Sequence, residues 1–148
     1  MEYTTKTTIT EIKHEELVNM FSLMLYGNCN FIVDNTDFRK EYIKATDDCI
    51  EEKMASILLN GGEVLIGDTN SEDEDEHYGN LRYIFKDGIV YYRVTLQDIK
   101  EGLARCADDK NPHIRAAAIS IMEDDGEADG WDGDNILQTI LYGEVVYG

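Results

Sequence analysis

The chain has 148 residues and a formal net charge of -18, from 31 acidic and 13 basic side chains. This length is typical of one domain with one core, and a composition that is 43% hydrophobic is typical of a globular protein, not of a disordered acidic chain. The small number of basic residues disfavours nucleic-acid binding through phosphate contacts. Membrane association is also disfavoured, because no apolar run reaches ~18 residues and anionic lipid would repel the acidic surface.

The N-terminal part of the chain predicts a strand followed by a helix. Alternation between Tyr3 and Ile9, rich in β-branched threonine, indicates the strand, and Thr10 is the predicted N-cap of the helix. Apolar residues then recur at helical spacing as far as Gly27, the predicted left-handed C-terminal residue. This apolar stripe consists of Leu17, Met20, Phe21, Met24 and Leu25.

The middle of the chain alternates short strands and a helix. Residues 31–33 predict a strand, residues 47–59 a helix, and residues 63–66 a further strand. An acidic run follows, and we expect it to form a loop before a hairpin. The run consists of Glu72, Asp73, Glu74, Asp75 and Glu76.

The strongest local signal is Asp87-Gly88, which predicts a two-residue type I′ hairpin turn. In the resulting register Lys86 opposes Ile89, and Arg82 opposes Arg93. Arg82, Lys86, Tyr91 and Arg93 then share one mixed, cationic face of the hairpin.

Two arginines opposed across strands repel each other, so Arg82 and Arg93 require a counter-charge. We favour the protein's own loop, residues 72–76, as that counter-charge. The alternative is a small anionic or nucleotide ligand held by Arg82, Lys86, Tyr91 and Arg93. A further alternative is that a helix or another subunit covers this face. In the second case the protein would be a homo-oligomer.

Three helices and a last strand are predicted after the hairpin. Thr95 with Asp98 resembles a capping box, and Asn111-Pro112 is typical of a helix start. Asp132 or Asp134 is the predicted cap of the last helix, which Gly143 ends before a strand at residues 145–147. The sequence therefore predicts a single α+β domain over residues 1–148, with a mixed or antiparallel sheet and a central β-hairpin packed against several short helices.

No metal site or cofactor is predicted. Asp125 begins a loop that resembles the start of an EF-hand, but the twelfth position is Ile136, where a bidentate glutamate is needed. His14 is not followed by a second histidine at the spacing of a zinc protease. Cys29, Cys49 and Cys106 form no C-x-x-C pair, and we interpret them as small buried hydrophobes in a reducing cytosol.

The sequence contains no complete catalytic signature. G-x-S-x-G, P-loop and G-x-G-x-x-G patterns are all missing from it. We therefore predict no catalytic residues and favour a protein that is not an enzyme, although a site assembled from distant residues would leave no pattern in one sequence.

Several patches resemble small acidic proteins that phages and mobile elements of gut bacteria carry. The patches are residues 9–11, 23–27, 59–64 and 94–103, and above all residues 132–148, Asp-Gly-Asp-Asn-Ile-Leu-Gln-Thr-Ile-Leu-Tyr-Gly-Glu-Val-Val-Tyr-Gly. The resemblance implies a source in a bacterial host cytosol. It carries over no catalytic residues.

Acidic side chains in two runs predict a surface for a basic protein partner. Carboxylates held on a folded surface can occupy a groove that binds DNA, so we expect an inhibitor or modulator of a host protein that partly imitates DNA. The candidate residues are Glu72, Asp73, Glu74, Asp75, Glu76, Asp124, Asp125, Glu127, Asp129, Asp132 and Asp134. The alternatives are the anionic-ligand module and a self-assembling phage component.

Overall fold

The helices and strands alternate along the chain without a repeated unit. The computed structural model of the protein describes residues 2–3, 7–27 and 30–147. The strands are β1 (Glu2–Tyr3), β2 (Ile9–Glu11), β3 (Phe31–Asp34), β4 (Glu63–Asp68), β5 (Tyr83–Lys86) and β6 (Ile89–Thr95). The helices are α1 (His14–Tyr26), α2 (Ile50–Leu59), α3 (Leu96–Ala107), α4 (Pro112–Glu123) and α5 (Gly130–Tyr142), with a 3-10 turn at Lys40–Tyr42.

The main sheet is antiparallel throughout, with the strand order β3-β4-β6-β5. The predicted hairpin is confirmed, because Lys86 pairs with Ile89 and Tyr83 with Tyr92. Asp87 and Gly88 have φ values of 52° and 78°, as a type I′ turn requires. The α+β prediction is therefore confirmed, with the hairpin forming one half of the sheet.

The helices pack on one face of the sheet. Val64, Ile66 and Tyr92 on that face are at most 1% exposed, and they belong to the same core as the buried stripes of the helices. On the opposite face Tyr91 lies flat over Gly67, where an added Cβ would lie 2.6 Å from the tyrosine ring. This opposite face carries the arginines of the hairpin and forms the floor of the largest cleft described below.

The N-terminal segment differs from the prediction. Instead of one strand over residues 3–9, β1 and β2 pair with each other, with Tyr3 opposite Ile9; residues 4–6 lie outside the described residues. The prediction of Thr10 as N-cap is wrong. Lys13 holds that position, and its backbone N–H donates to the Glu16 carboxylate at 2.9 Å.

Two further predictions at helix ends are wrong. Gly27 has φ -73° and is not left-handed; it is required there because a Cβ would lie 1.9 Å from the Gly130 carbonyl oxygen, where the two chain segments cross. The cap of α5 is Asp129, whose carboxylate accepts from the Asp132 N–H at 2.9 Å, so Asp132 is the third helical residue and Asp134 lies inside the helix.

Residues 145–147 do not form the predicted strand. The Gln138 side-chain oxygen accepts from the N–H groups of Val146 and Tyr147, each at 2.8 Å. A buried side chain thus satisfies the backbone groups that a neighbouring strand would otherwise bind.

Among the described residues, no helix combines the length and the apolar character that crossing a membrane requires.

Candidate functional site

The exposed face of the sheet and the segment after β3 enclose a cleft of about 550 Å³. Leu65 and Ile84 form its floor, and the 3-10 turn and the residues before it form one wall. In that wall the Arg39 guanidinium lies 5.2 Å from the centre of the Tyr42 ring and pairs with Glu41 at 2.6 Å. An aromatic and cationic wall therefore faces an apolar floor.

Arg82 and Arg93 share one carboxylate at the end of the cleft. Arg82 Nη2 donates to Glu63 Oε2 at 2.8 Å, and Arg93 Nη1 donates to Glu63 Oε1 at 2.7 Å. The prediction that residues 72–76 supply the counter-charge is wrong. The strand order explains the difference, because β4 lies next to β6 and its first residue, Glu63, reaches both guanidinium groups.

The structure separates the other two candidate ligand residues from this pair. Lys86 Nζ donates to Asp34 Oδ2 at 2.5 Å, and this bond, ahead of the Thr36 hydrogen bonds, lowers the pKa of Asp34 to about 2. Tyr91 is 7% exposed and covers Gly67. Neither Lys86 nor Tyr91 lines the cleft, so the predicted anion site is reduced to Arg82 and Arg93.

Sequence reasoning missed the wall of the cleft. Residues 35–43 have neither a helical nor a strand period, so nothing in their pattern placed Phe38, Arg39 and Tyr42 opposite the hairpin. The only available signal was compositional, since an arginine and two aromatic residues fall within five positions of a segment without regular structure.

The first acidic segment, Glu72–Glu76, forms a tight turn on the surface. The Asp73 carboxylate accepts from the Asp75 N–H at 2.9 Å, and the Glu76 N–H donates to the Asp73 carbonyl at 3.1 Å. Glu72, Glu74 and Asp75 are exposed. The backbone of the turn is therefore fixed while its carboxylates face solvent.

The second acidic segment, Asp124–Asp132, is also held by its own hydrogen bonds. Asp125 accepts from the Ser120 hydroxyl and from the Glu127 N–H, and the Ser120 bond lowers the pKa of Asp125. Asp129 caps α5, and the Asp132 carboxylate accepts from the Asp129 N–H at 3.2 Å. The carboxylates of Asp125, Asp129 and Asp132 therefore have fixed positions at the junction of α4 and α5.

Asp134 does not belong to this surface. It is 1% exposed, and its carboxylate accepts from the Asn30 side chain at 2.9 Å and from the Gln138 side chain at 2.8 Å. The prediction that Asp134 contributes to a partner surface is wrong, because helix α5 starts earlier than predicted and turns this residue inward.

The structure also brings together a serine, a histidine and an aspartate. The buried Ser56 hydroxyl donates to Asp47 Oδ2 at 2.6 Å, and His14 Nε2 lies 3.2 Å from Ser56 Oγ and 3.4 Å from Asp47 Oδ1. In a catalytic triad the two ring nitrogens contact serine and aspartate separately, whereas here one nitrogen faces both. The three side chains connect the start of α1 to α2, and they do not have the geometry that activates a serine nucleophile in a triad.

Of the described cysteines, Cys106 is buried as predicted, whereas Cys49 is partly exposed and its thiol donates to the Glu52 carboxylate at 3.1 Å. Burial raises the pKa of Cys106 to about 12, so this thiol is protonated and inert. Cys29 lies outside the described residues. Within the part of the chain that the structure describes, no three His, Cys, Asp or Glu side chains converge to hold a metal ion.

No protein-family model, no curated protein and no solved structure matches this chain.

Proposed function

We propose that this protein is a non-enzymatic, phage-type binding protein that inhibits or modulates a host protein in the bacterial cytosol. Its acidic segments engage a basic surface that otherwise binds DNA. The observation that carries the proposal is the fixed placement of the carboxylates of Asp125, Asp129 and Asp132 by a helix cap and by local hydrogen bonds.

Fixed carboxylates favour recognition because little conformational entropy is lost when they meet a partner. Within the described residues, none of the carboxylates of Asp124, Asp125, Glu127, Asp129 and Asp132 has a salt bridge to a lysine or arginine. Their charge is available to the arginines and lysines of a partner. Electrostatic steering by a net charge of -18 would also accelerate association.

The test uses the fraction of a bacterial lysate that binds immobilised duplex DNA and elutes with salt. We expect the purified protein to prevent specific members of this fraction from binding the DNA again, and added salt to weaken the competition. The comparison variant carries Asp124→Asn, Asp125→Asn and Glu127→Gln, which remove charge but leave the Asp129 cap of α5 in place.

A matched control variant carries Glu15→Gln, Asp48→Asn and Glu144→Gln, at exposed residues outside both acidic segments, so it loses the same charge elsewhere. If both variants lose competition equally, net charge alone is responsible and a specific surface at Asp124–Asp132 is excluded. If the parent protein displaces nothing from the DNA, the proposed DNA-mimicking function is wrong.

The cleft supports a second candidate function, a module that binds an anionic or nucleotide ligand. The supporting observation is that Arg82 and Arg93 share the single carboxylate of Glu63, with the Tyr42 ring in the opposite wall. A ligand phosphate would compete with Glu63 for the two guanidinium groups. With adenosine triphosphate as the probe, calorimetry should detect binding that strengthens in Glu63→Gln and disappears in Arg82→Gln; no binding to Glu63→Gln would exclude this candidate.

A further inference from the structure

A second, smaller groove of about 340 Å³ runs along the outer edge of β3. Consecutive residues of β3 line it, although neighbouring side chains of a strand point to opposite faces of the sheet. The groove therefore follows the edge of the sheet instead of covering one face. Its lining consists of Leu25, Tyr26, Phe31, Ile32, Val33 and Ile50.

The hydrogen-bond pattern of β3 leaves backbone groups directed into this groove. The Thr69 N–H donates to the Asn30 carbonyl at 3.0 Å, so residue 30 lies in a hydrogen-bonded pair with β4. Antiparallel ladders alternate, so Ile32 and Asp34 also bond to β4, whereas the N–H and C=O groups of Phe31 and Val33 point away from it. Among the described strands, β3 is an edge of the main sheet.

Three of the usual features that prevent strand addition do not occur in β3, although the strand is short and ends in the charged Asp34. Residues 31–34 contain no proline and no lysine, and they pair with β4 in regular register without a bulge. Tyr26 and Ile32 beside the edge are 60% and 38% exposed. Apolar surface and backbone groups that bond to no described strand thus occur together at one place.

The charges around the groove determine what it can accept. Glu51 and Glu52 form the first turn of α2 beside Ile50, and the Tyr26 hydroxyl donates to Glu51. No basic side chain lines the groove. An occupant with positive charges at its ends is therefore favoured, whereas a second copy of this chain would bring a further charge of -18.

We propose that the β3 edge binds an extended cationic segment of a partner protein, which adds a fifth strand to the sheet. Apolar side chains at alternate positions of that segment fill the groove, and its backbone bonds to Phe31 and Val33. The β3 groove shares no residue with the acidic segments, so experiments can refute one of the two proposals without affecting the other.

The experiment uses an array of synthetic peptides of about nine residues, a length that covers an average strand. Each peptide has two lysines at each end and three alternate apolar positions, filled by every combination of valine, isoleucine, leucine and phenylalanine, with threonine between them. We expect some members to bind in the micromolar range by fluorescence anisotropy. The same sequences with glutamate in place of lysine should bind at least about tenfold more weakly.

Val33→Pro removes the N–H that points into the groove together with the valine side chain, and an edge strand tolerates proline at such a position. Val33→Ala, which keeps the N–H, is the control for the lost side chain. We expect Val33→Pro to keep its cooperative thermal unfolding and to lose peptide binding at least about tenfold. Ile32→Lys should also weaken binding, whereas Leu59→Lys, at a residue of matched exposure, 39% against 38%, should not. N-methylation of the peptide bonds that face β3 should abolish binding.

Three results would overturn the proposal. One is an array in which no lysine-flanked peptide binds the parent protein more tightly than about millimolar. Another is binding that Val33→Pro and N-methylation leave unchanged, which would place the peptides elsewhere. The third is a dimer in sedimentation experiments that Val33→Pro dissociates, which would assign the edge to a second copy of the chain.

Discussion

Asp34 and Lys86 connect the two edge strands of the main sheet across its exposed face. Asp34 ends β3 and Lys86 ends β5, and their side chains are 5% and 36% exposed. Asp34 also accepts from the Thr36 hydroxyl at 2.6 Å and from the Thr36 N–H at 3.0 Å. A carboxylate with this many donors stays ionised, which is why its pKa lies near 2.

Removing the lysine should change how stability depends on pH. The pKa of Asp34 falls from 3.8 to about 2 on folding, so its contribution is complete above pH ~4 and is lost as the pH decreases through ~2. Lys86→Met should lower the free energy of unfolding at neutral pH, because it removes the main cause of the low pKa of Asp34. It should also flatten the acid limb of the stability profile, which is the decrease in unfolding free energy between pH ~4 and pH ~2. Urea unfolding over a pH series measures both effects.

The control is Lys110→Met, which removes an exposed lysine outside the sheet, between α3 and α4, and should leave the acid limb unchanged. An acid limb that is equally steep in Lys86→Met and in the parent would show that Lys86 does not determine the pKa of Asp34.

The Ser56, Asp47 and His14 group gives a second prediction for single residues. Asp47 is buried, a position that by itself raises its pKa, yet the Ser56 hydroxyl and the Lys44 N–H lower it overall. Ser56→Ala should cost about 1–3 kcal/mol of unfolding free energy, because it leaves a buried carboxylate with one donor fewer. Ser22→Ala, at an exposed helical serine that bonds only to the Val18 carbonyl, should cost little in the same denaturation experiment. Equal losses in the two variants would refute the role of the buried network.

The elements whose ends depend on local chemistry could be predicted from the sequence. Asp87-Gly88 fixes the hairpin, and Thr95 and Asn111 cap their helices as predicted, because each needs only residues within a few positions. Three aspartates compete to cap α5, and local reasoning did not select Asp129. Residues 145–147 have a strand composition, but the distant Gln138 takes their backbone groups.

Less of the candidate site could be predicted from the sequence, because its contacts join residues that are distant along the chain. The opposition of Arg82 and Arg93 follows from the hairpin register, and the backbone bond from Arg93 N–H to the Arg82 carbonyl agrees with it. The partner Glu63 depends on the order of β4 and β6 in the sheet, which no local pattern contains. Contacts across the sheet therefore decided which charges are neutralised.

The three charges at the end of the cleft give a prediction for the hairpin as an element. Glu63→Gln leaves two arginines opposed across β5 and β6, so we expect a loss of about 0.5–1 kcal/mol that added salt reduces. Adding Arg93→Gln to Glu63→Gln should recover most of that loss, because the repulsion ends. Chemical denaturation of the single and double variants at low and high salt measures the coupling. A double variant that is less stable than Glu63→Gln would show that the packing of the Arg93 side chain stabilises the protein by more than its repulsion of Arg82 destabilises it.

The edge strand β3 gives a prediction that requires no ligand. Alternation of the ladder predicts slow hydrogen exchange at the Ile32 and Asp34 amides, which bond to β4, and fast exchange at the Phe31 and Val33 amides. Exchange measured residue by residue by NMR should therefore alternate along the strand. Uniform protection of residues 31–34 would show that another segment already covers the edge.

At the scale of the whole molecule, the basic side chains of the exposed sheet face pair with carboxylates of the protein itself. Arg82 and Arg93 pair with Glu63, and Lys86 pairs with Asp34. The excess of acid is consequently presented by other parts of the surface, including the turn Glu72–Glu76 and the segment Asp124–Asp132. These two segments differ in what their carboxylates do for the fold, and stability measurements can separate the two roles.

Neutralising the turn should stabilise the protein, whereas removing the cap of α5 should destabilise it. The turn variant combines Glu72→Gln, Glu74→Gln and Glu76→Gln, which reduces repulsion between carboxylates within a Debye length of about 10 Å. Its melting temperature should therefore rise at low salt and approach that of the parent at high salt. Asp129→Ala removes the acceptor for the Asp132 N–H, and should cost about 1 kcal/mol at either salt concentration. Calorimetric melting at both concentrations distinguishes the effects. A turn variant that melts below the parent at low salt would show that these carboxylates stabilise the fold, and their assignment as a surface free to meet a partner would be wrong.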